Sequence, residues 1–437
     1  MQPTPLPLPI GTTDDTFDRG RVFTILAEDR RKHMAIFGKS GVGKSTLLRN
    51  MIVWDLREGL GVTVLDPHGG LIEDLLDCIP SDRTNDVVYF SPKDRTRAVS
   101  VNILEPPAAD GHETLAVSYL ISIFKKIWGD SWGPRMEDIL RNSAFALIEQ
   151  PEPVSLVALP KLLTDPDYRK KILERVSNPV VLAYFRDEYD KWPASFRQEA
   201  IQPVLNKARA FLVNPLLRAI IGQARSSFDF RWLMDKSKIL LCDLSKGALG
   251  EDVSSLLGSL IVTKILLAAL SRQDIPEEER VPHLLYADEV QNFIHGADLP
   301  TIFSEARKYR LTLVIATQTI NQLPRESVDV VFGNCATVMS FRVGGEDAEA
   351  LKREFVMTTL PASELQDMPD YKLYLRTLML AEDGRRSRPT GPHIIDTFPP
   401  MTTPEANSKE RVIRTSLERY ARPRAEVEEK INRFLSR

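Results

Sequence analysis

Short continuous apolar runs alternate with longer stretches of helical period over most of this chain. Met34-Ala35-Ile36-Phe37, Val62-Thr63-Val64-Leu65 and Val87-Val88-Tyr89-Phe90 are too short for buried helices and read as strands covered on both faces. Similar runs return at Lys238–Asp243, His283–Ala287, Leu311–Gln318 and Ala336–Phe341, and Tyr371–Leu380 reads as an edge strand. Helix-period segments at 256–270, 299–310 and 346–355 lie between them, a pattern that predicts an α/β fold with a parallel sheet.

Strand signal lapses between about residues 110 and 235. There Leu115, Leu120, Ile123, Phe124 and Ile127, then Ile139, Leu140, Ala144, Leu147 and Ile148, recur at helical spacing, with prolines between the segments. The expected organisation is therefore an extended N-terminal arm (1–20), a first part of the core (21–109), an inserted all-helical domain (110–235), a second part of the core (236–400) and a C-terminal helical tail (401–437). In the tail, Val427, Ile431, Phe434 and Leu435 share one face, as a helix docked on the body or on a neighbouring subunit requires.

Composition narrows the options slightly. The chain has 437 residues, more than one average domain, and carries 57 basic and 60 acidic residues for a net charge of -3. With no global positive field, any nucleic-acid contact has to be local. Cys78, Cys242 and Cys335 fit neither a zinc spacing nor a disulfide framework, which suggests a reducing, cytoplasmic setting. The run Leu256–Leu270 is interrupted by Ser259, Thr263 and Lys264 and falls short of the ~20 residues of a bilayer span, so it reads as a buried helix. The proline-alternating start Met1–Pro9 has no cationic region of a signal peptide.

Candidate chemistry follows the first long strand. Gly38-Lys39-Ser40-Gly41-Val42-Gly43-Lys44-Ser45-Thr46, between a strand and a helix, fits the phosphate-binding P-loop at every fixed position. Its backbone N–H groups and the following helix dipole suit a polyphosphate, with Lys44 neutralising β- and γ-oxygens and Ser45 ligating Mg²⁺. Leu284-Leu285-Tyr286-Ala287-Asp288-Glu289 is an apolar strand ending in two carboxylates, a Walker B element. Asp288 would hold the Mg²⁺ shell and Glu289 would deprotonate the attacking water. Gln318, at another strand end, suits a γ-phosphate or water contact, and Arg307 suits an arginine finger offered to a neighbour, a solvated helix charge being its alternative. Arg342 is a further phosphate-sensing candidate. Asp66 and His68 sit at a strand end on the same edge, and Lys246 with Gly247 belongs to a loop suited to a ring's pore and to DNA phosphates. The basic and aromatic stretches Phe124–Trp128 and Trp132–Arg135 suit DNA or plain packing.

Together, Gly38 to Thr46, Leu65-Asp66-Pro67-His68-Gly69, Tyr286 to Phe293, Glu305-Ala306-Arg307-Lys308-Tyr309, Ala316-Thr317-Gln318 and Phe341-Arg342-Val343-Gly344 resemble the HerA/FtsK superfamily. Within it they are most like the TraD/TraG-type conjugative DNA transfer ATPases, over about residues 20 to 400. The resemblance implies a RecA-like P-loop core with an inserted all-α domain, and a hexameric ring that uses ATP and Mg²⁺ to move DNA through a central channel. It implies roles for Lys44, Ser45, Asp288, Glu289, Gln318 and, in trans, Arg307. Conjugative coupling proteins usually begin with membrane-spanning helices, and HerA proteins with a barrel; neither pattern precedes the P-loop here. The expected function is DNA translocation with partners from a secretion or DNA-processing system. A ring ATPase energising protein secretion is the alternative. A monomeric nucleotide switch is disfavoured by the Asp288-Glu289 pair and by the lack of a guanine-reading Asn-Lys-x-Asp motif.

Overall fold

The computed structural model describes residues 6–14, 19–105, 113–127, 129, 132–293, 303–355, 361–380, 387–401 and 408–436. Its strands are β1 (Leu8–Thr13), β2 (Val22–Ile25), β3 (Met34–Phe37), β4 (Gly61–Asp66), β5 (Val87–Phe90), β6 (Arg97–Val99), β7 (Ile239–Asp243), β8 (His283–Ala287), β9 (Leu311–Thr317), β10 (Thr337–Ser340), β11 (Lys372–Arg376), β12 (Leu378–Leu380), β13 (Ser387–Pro389), β14 (His393–Thr397) and β15 (Ala421–Pro423). Eleven of them form one sheet in the order β2-β1-β14-β11-β10-β3-β9-β8-β4-β7-β5. The strands from β10 to β5 are mutually parallel, and β11, β14, β1 and β2 extend the sheet with antiparallel pairing.

The continuous apolar runs divide at period two between two buried faces. Met34, Ile36, Val62, Val64, Leu284, Tyr286, Val314 and Ala316 pack with the helix Lys44–Arg57 on one side. Ala35, Phe37, Leu65, Leu285, Ala287, Leu313 and Ile315 face the helix Glu251–Leu270 and the helical insertion on the other. The stretch Glu251–Asp274 is long and apolar enough to cross a bilayer, yet 89% of its most apolar window is buried inside the protein.

The insertion is helical throughout its described residues, from the helix Glu113–Ile127 to the helix Phe230–Asp235. Its prolines do more than interrupt: Pro134, Pro166, Pro179 and Pro215 each open a helix, where their missing N–H is not needed. Asp165, Asn178 and Asn214 cap the last three from the preceding position.

Two sequence expectations need correction. The arm read at residues 1–20 supplies β1, which lies inside the sheet between β2 and β14. Pro9 and the bulge between Pro9 and Gly11 hide the strand pattern, and at Gly11 any Cβ would collide with Asp396 O across the β1–β14 pair. The edge strand expected at Tyr371–Leu380 is instead β11, an interior strand flanked by β10 and β14, with Leu378–Leu380 turning away to pair with β13.

The C-terminal tail docks on its own chain. The helix Ser408–Tyr420 covers the edge strand β5, where Ser416 Oγ accepts the Tyr89 N–H at 2.7 Å and Ser408 Oγ donates to Leu76 O. The helix Arg424–Leu435 lies on the insertion through Val427 and Ile431 and an Arg218–Glu428 pair at 2.8 Å, while Leu435, expected on the docked face, is exposed.

A buried polar cluster ties the two nucleotide-side elements together. Arg30 reaches both oxygens of Asp55, at 2.6 and 2.7 Å, and Tyr286 Oη donates to Asp55 Oδ2 at 2.5 Å. Asp55 sits near the end of the helix Lys44–Arg57 and Tyr286 within β8. Replacing Asp55 by Ala strands a buried guanidinium and should destabilise the protein by ~3–5 kcal/mol. Tyr286→Phe, which leaves the ion pair in place, should cost only about 1 kcal/mol; denaturant midpoints check both.

Candidate functional site

Parallel strands present their carboxyl ends on one edge, so register decides which side chains meet there. Phe37 is level with Thr317 of β9 on one side and with Ser340 of β10 on the other. Ala287 of β8 is level with Ile315 and with Leu65 of β4. The residues that follow these strand ends, Gly38, Gln318 and Asp288, therefore converge. Ser40, Gly41, Gly43, Lys44, Ser45, Thr46, His68, Asp288, Glu289, Gln318 and Tyr371 line one cleft of about 470 Å³.

The P-loop backbone is fixed by its neighbours. Gly38 N–H donates to Thr317 O, Lys39 N–H to Arg342 O and Tyr371 N–H to Val42 O, at 3.3, 2.9 and 2.8 Å. Gly43 starts the helix with φ of 113°, and a Cβ there would lie 2.9 Å from Tyr371 Cδ1. Lys44 Nζ donates to Gly38 O at 2.6 Å and to Lys39 O at 3.1 Å, and stands 3.8 Å from Glu289 Oε1.

Opposite the lysine, the two carboxylates are buried. Asp288 N–H donates to Leu65 O and Glu289 N–H to Asp288 Oδ1, at 3.1 and 3.0 Å. Glu289 occupies the left-handed region at φ of 46°, held by Asn292 Nδ2 on its carbonyl and Gln291 Nε2 on its carboxylate, both at 2.8 Å. Burial, then the charges of Glu289 and Asp66, push the Asp288 carboxyl up to about 6 against the pull of Lys44. Burial also pushes the Lys44 ammonium below its ordinary value despite Glu289 and Asp288.

This donor set fits Mg²⁺. Two buried carboxylates face one lysine, a local excess of negative charge, and Asp288 and the Ser45 hydroxyl are hard oxygen ligands in the same cleft. Among the described residues no cluster of three or more metal-ligating side chains exists.

The remaining candidates are placed differently. Gln318 and His68 line the cleft, and Asp66 lies below His68, its carboxylate accepting from His68 N–H at 2.7 Å and Ile72 N–H at 3.2 Å. Arg342 is not among the residues lining it: its guanidinium binds Met368 O at 3.1 Å and Asp370 Oδ1 at 2.7 Å, which anchors the segment before Tyr371. Arg307 is exposed in the turn Ala306–Tyr309 that leads into β9, near His33 at the opposite end of β3 from the P-loop. The helix expected at 299–310 is described only from Phe303. Lys246 Nζ pairs with Glu251 at 3.0 Å. Of the aromatic candidates, Trp128 lies outside the described residues, Trp132 donates to Glu137 and Arg135 packs on Phe196. Sequence reasoning missed Tyr371, whose only local sign is an aromatic residue just before a strand.

The elevated Asp288 value has a measurable consequence. Below about pH 4 the group is protonated in both folded and unfolded chains; as pH rises through 6 the unfolded chain ionises first and stability is lost. Above that window the buried carboxylate costs about 2–3 kcal/mol, at about 1.4 kcal/mol per pH unit between the two values. Asp288→Asn should therefore be more stable than the parent by about 2 kcal/mol at pH 7.5 without nucleotide or Mg²⁺, the gap closing near pH 4. Equal denaturation midpoints at pH 7.5 would contradict the assignment.

Residues 18–124 match the family model described as the central domain of the helicase HerA, and residues 282–353 match the TraM recognition site of TraD and TraG. No curated protein sequence matches the chain. The bacterial conjugative coupling protein TrwBdeltaN70 in its unbound form shares the fold with a TM-score of 0.59 at 14% identity, over 92% of this chain and 91% of that one. TrwB in complex with the non-hydrolysable ATP analogue ADPNP gives 0.60 at 16% identity, over 88% and 89%. VirB4 of Thermoanaerobacter pseudethanolicus gives 0.53 at 14% identity, over 94% and 99%. Family models and fold agree: the chain has a RecA-like P-loop ATPase fold, with one segment similar to the HerA central domain and another to the TraM recognition site of TraD and TraG.

Proposed function

We propose that this protein is a cytoplasmic Mg²⁺-dependent ATPase that assembles as a hexameric ring and moves DNA, in conjugative transfer or a related DNA-processing system. One observation carries the reading: β3, β9 and β8 gather Lys44 and Ser45 with Asp288, Glu289 and Gln318, which lie more than two hundred residues later in sequence, around one cleft.

Lys44 exchanges its two carbonyl partners for β- and γ-phosphate oxygens. Glu289 accepts the proton of a water whose oxygen bonds the γ-phosphorus as the β–γ bridging bond breaks, releasing ADP and phosphate. Gln318 orients that water, and Mg²⁺, which Ser45 and Asp288 would hold, would supply charge neutralisation on the phosphate oxygens. Since Arg307 lies far from its own P-loop, the reading gives it to a neighbour's γ-phosphate.

Coupling to DNA rests on the loop after β7. Leu244 N–H donates to Asp66 O and Lys246 N–H to Pro67 O, both at 2.9 Å, next to His68 in the cleft wall. A nucleotide that shifts His68 shifts the segment carrying Lys246, the residue assigned to DNA phosphate. TrwB is named a conjugative coupling protein, and the TraD/TraG segment points to the same class of partner. The VirB4 likeness supports protein secretion as the second reading.

Glu289→Gln should bind ATP as tightly as the parent while turnover falls about 10²–10⁴-fold in a phosphate-release assay. Arg307→Ala should lower kcat by roughly 10³-fold with nucleotide affinity intact, and wild-type turnover would remove the finger. DNA should stimulate hydrolysis, and its affinity should fall steeply between about 50 and 200 mM salt. An ATPase indifferent to DNA would favour the secretion reading.

A further inference from the structure

Tyr371 is an anomaly in its own surroundings. It holds φ of 64°, a conformation bulky side chains avoid, and the residue is 54% exposed although it lines the P-loop cleft. Strain of this kind persists only where neighbours enforce it. Here Val42 O accepts the Tyr371 N–H at 2.8 Å, and Thr397 N–H and Oγ1 both donate to Tyr371 O, at 2.9 and 2.8 Å. Arg342 grips Asp370 just before it, and Lys372 just after it pairs with Asp14 at 2.6 Å and Asp396 at 3.3 Å. All of this fixes the backbone; the ring lies beside Gly43, where a Cβ would come within 2.9 Å of its Cδ1, and the residue lines the cleft.

The sheet order gives the ring a direction. Gln318, Asp288 and Glu289 follow β9 and β8 on one side of β3, so the γ-phosphate end of a nucleotide points that way. Tyr371 precedes β11, on the other side of β3, and lines the same cleft. The non-reacting end of the nucleotide is therefore directed to the tyrosine, and that end carries a flat aromatic base.

We infer that Tyr371 is the platform on which the purine base of the bound nucleotide stacks. The inference rests on the ATPase reading of the same cleft. Stacking needs only the ring, adds no hydrogen bond, and explains why an exposed aromatic is held rigidly where a glycine would relieve the strain.

Calorimetric binding of Mg–ADP and of Mg–pyrophosphate, which has no base, tests it. Tyr371→Ala and Tyr371→Gly should weaken ADP at least about fivefold and leave pyrophosphate unchanged, while Tyr371→Phe keeps both. ADP binding unaltered in the Ala and Gly variants overturns the inference. An equal loss for ADP and pyrophosphate, or a Phe variant as weak as Ala, overturns it too, by making the residue a support for the P-loop or a hydroxyl donor. A parent protein that binds neither ligand would instead bring down the ATPase reading itself.

Discussion

The register of β3, β9 and β8 sets the distance between Lys44 and Glu289, and the rest of the molecule serves to keep it. Backbone ladders alone would allow the P-loop helix to rock against the sheet. Arg30, Asp55 and Tyr286 prevent this by joining the far end of that helix to the strand that carries the acids. Because the cluster is dry, its charges are worth holding together only in one geometry. The helix Glu251–Leu270 does the complementary work on the opposite face, filling it with an almost wholly buried apolar surface.

Around this frame the cleft is kept in an uncomfortable state. A carboxylate lifted toward neutrality, a depressed lysine and two side-chain-bearing residues at positive φ, Glu289 and Tyr371, all oppose folding. Backbone strain of this sort costs of order 1–3 kcal/mol per residue. Under the proposed function each of these groups gains a partner when a triphosphate and its cation enter, so the same features that oppose folding would sharpen the grip on ligand.

Much of this was legible in the sequence, for local reasons. The P-loop is contiguous, so Gly38 to Thr46 announce themselves by spacing, and Asp288-Glu289 stand at the end of a run too apolar and short to be anything but a buried strand. The helical insertion shows because its period persists for over a hundred residues. What could not be read depends on distant partners. β1 and β14 find ladders in each other far along the chain, β14 pairing also with β11, and β1 disguises itself with Pro9 and Gly11. The ion pair of Arg342 was hidden because its partner, Asp370, comes 28 residues later in the chain. Tyr371 acquires its meaning from Val42 and Thr397, one before it by hundreds of residues and one after.

The covered edge at β5 has a mechanical corollary. With Ser416 taking the Tyr89 amide and β2 at the far edge only four residues long, neither margin of the sheet offers a neighbour an extended ladder to join. Copies of this chain in a ring would meet through side chains on helices and loops. In the proposed ring, joints of that kind would part and reseal without unzipping any backbone.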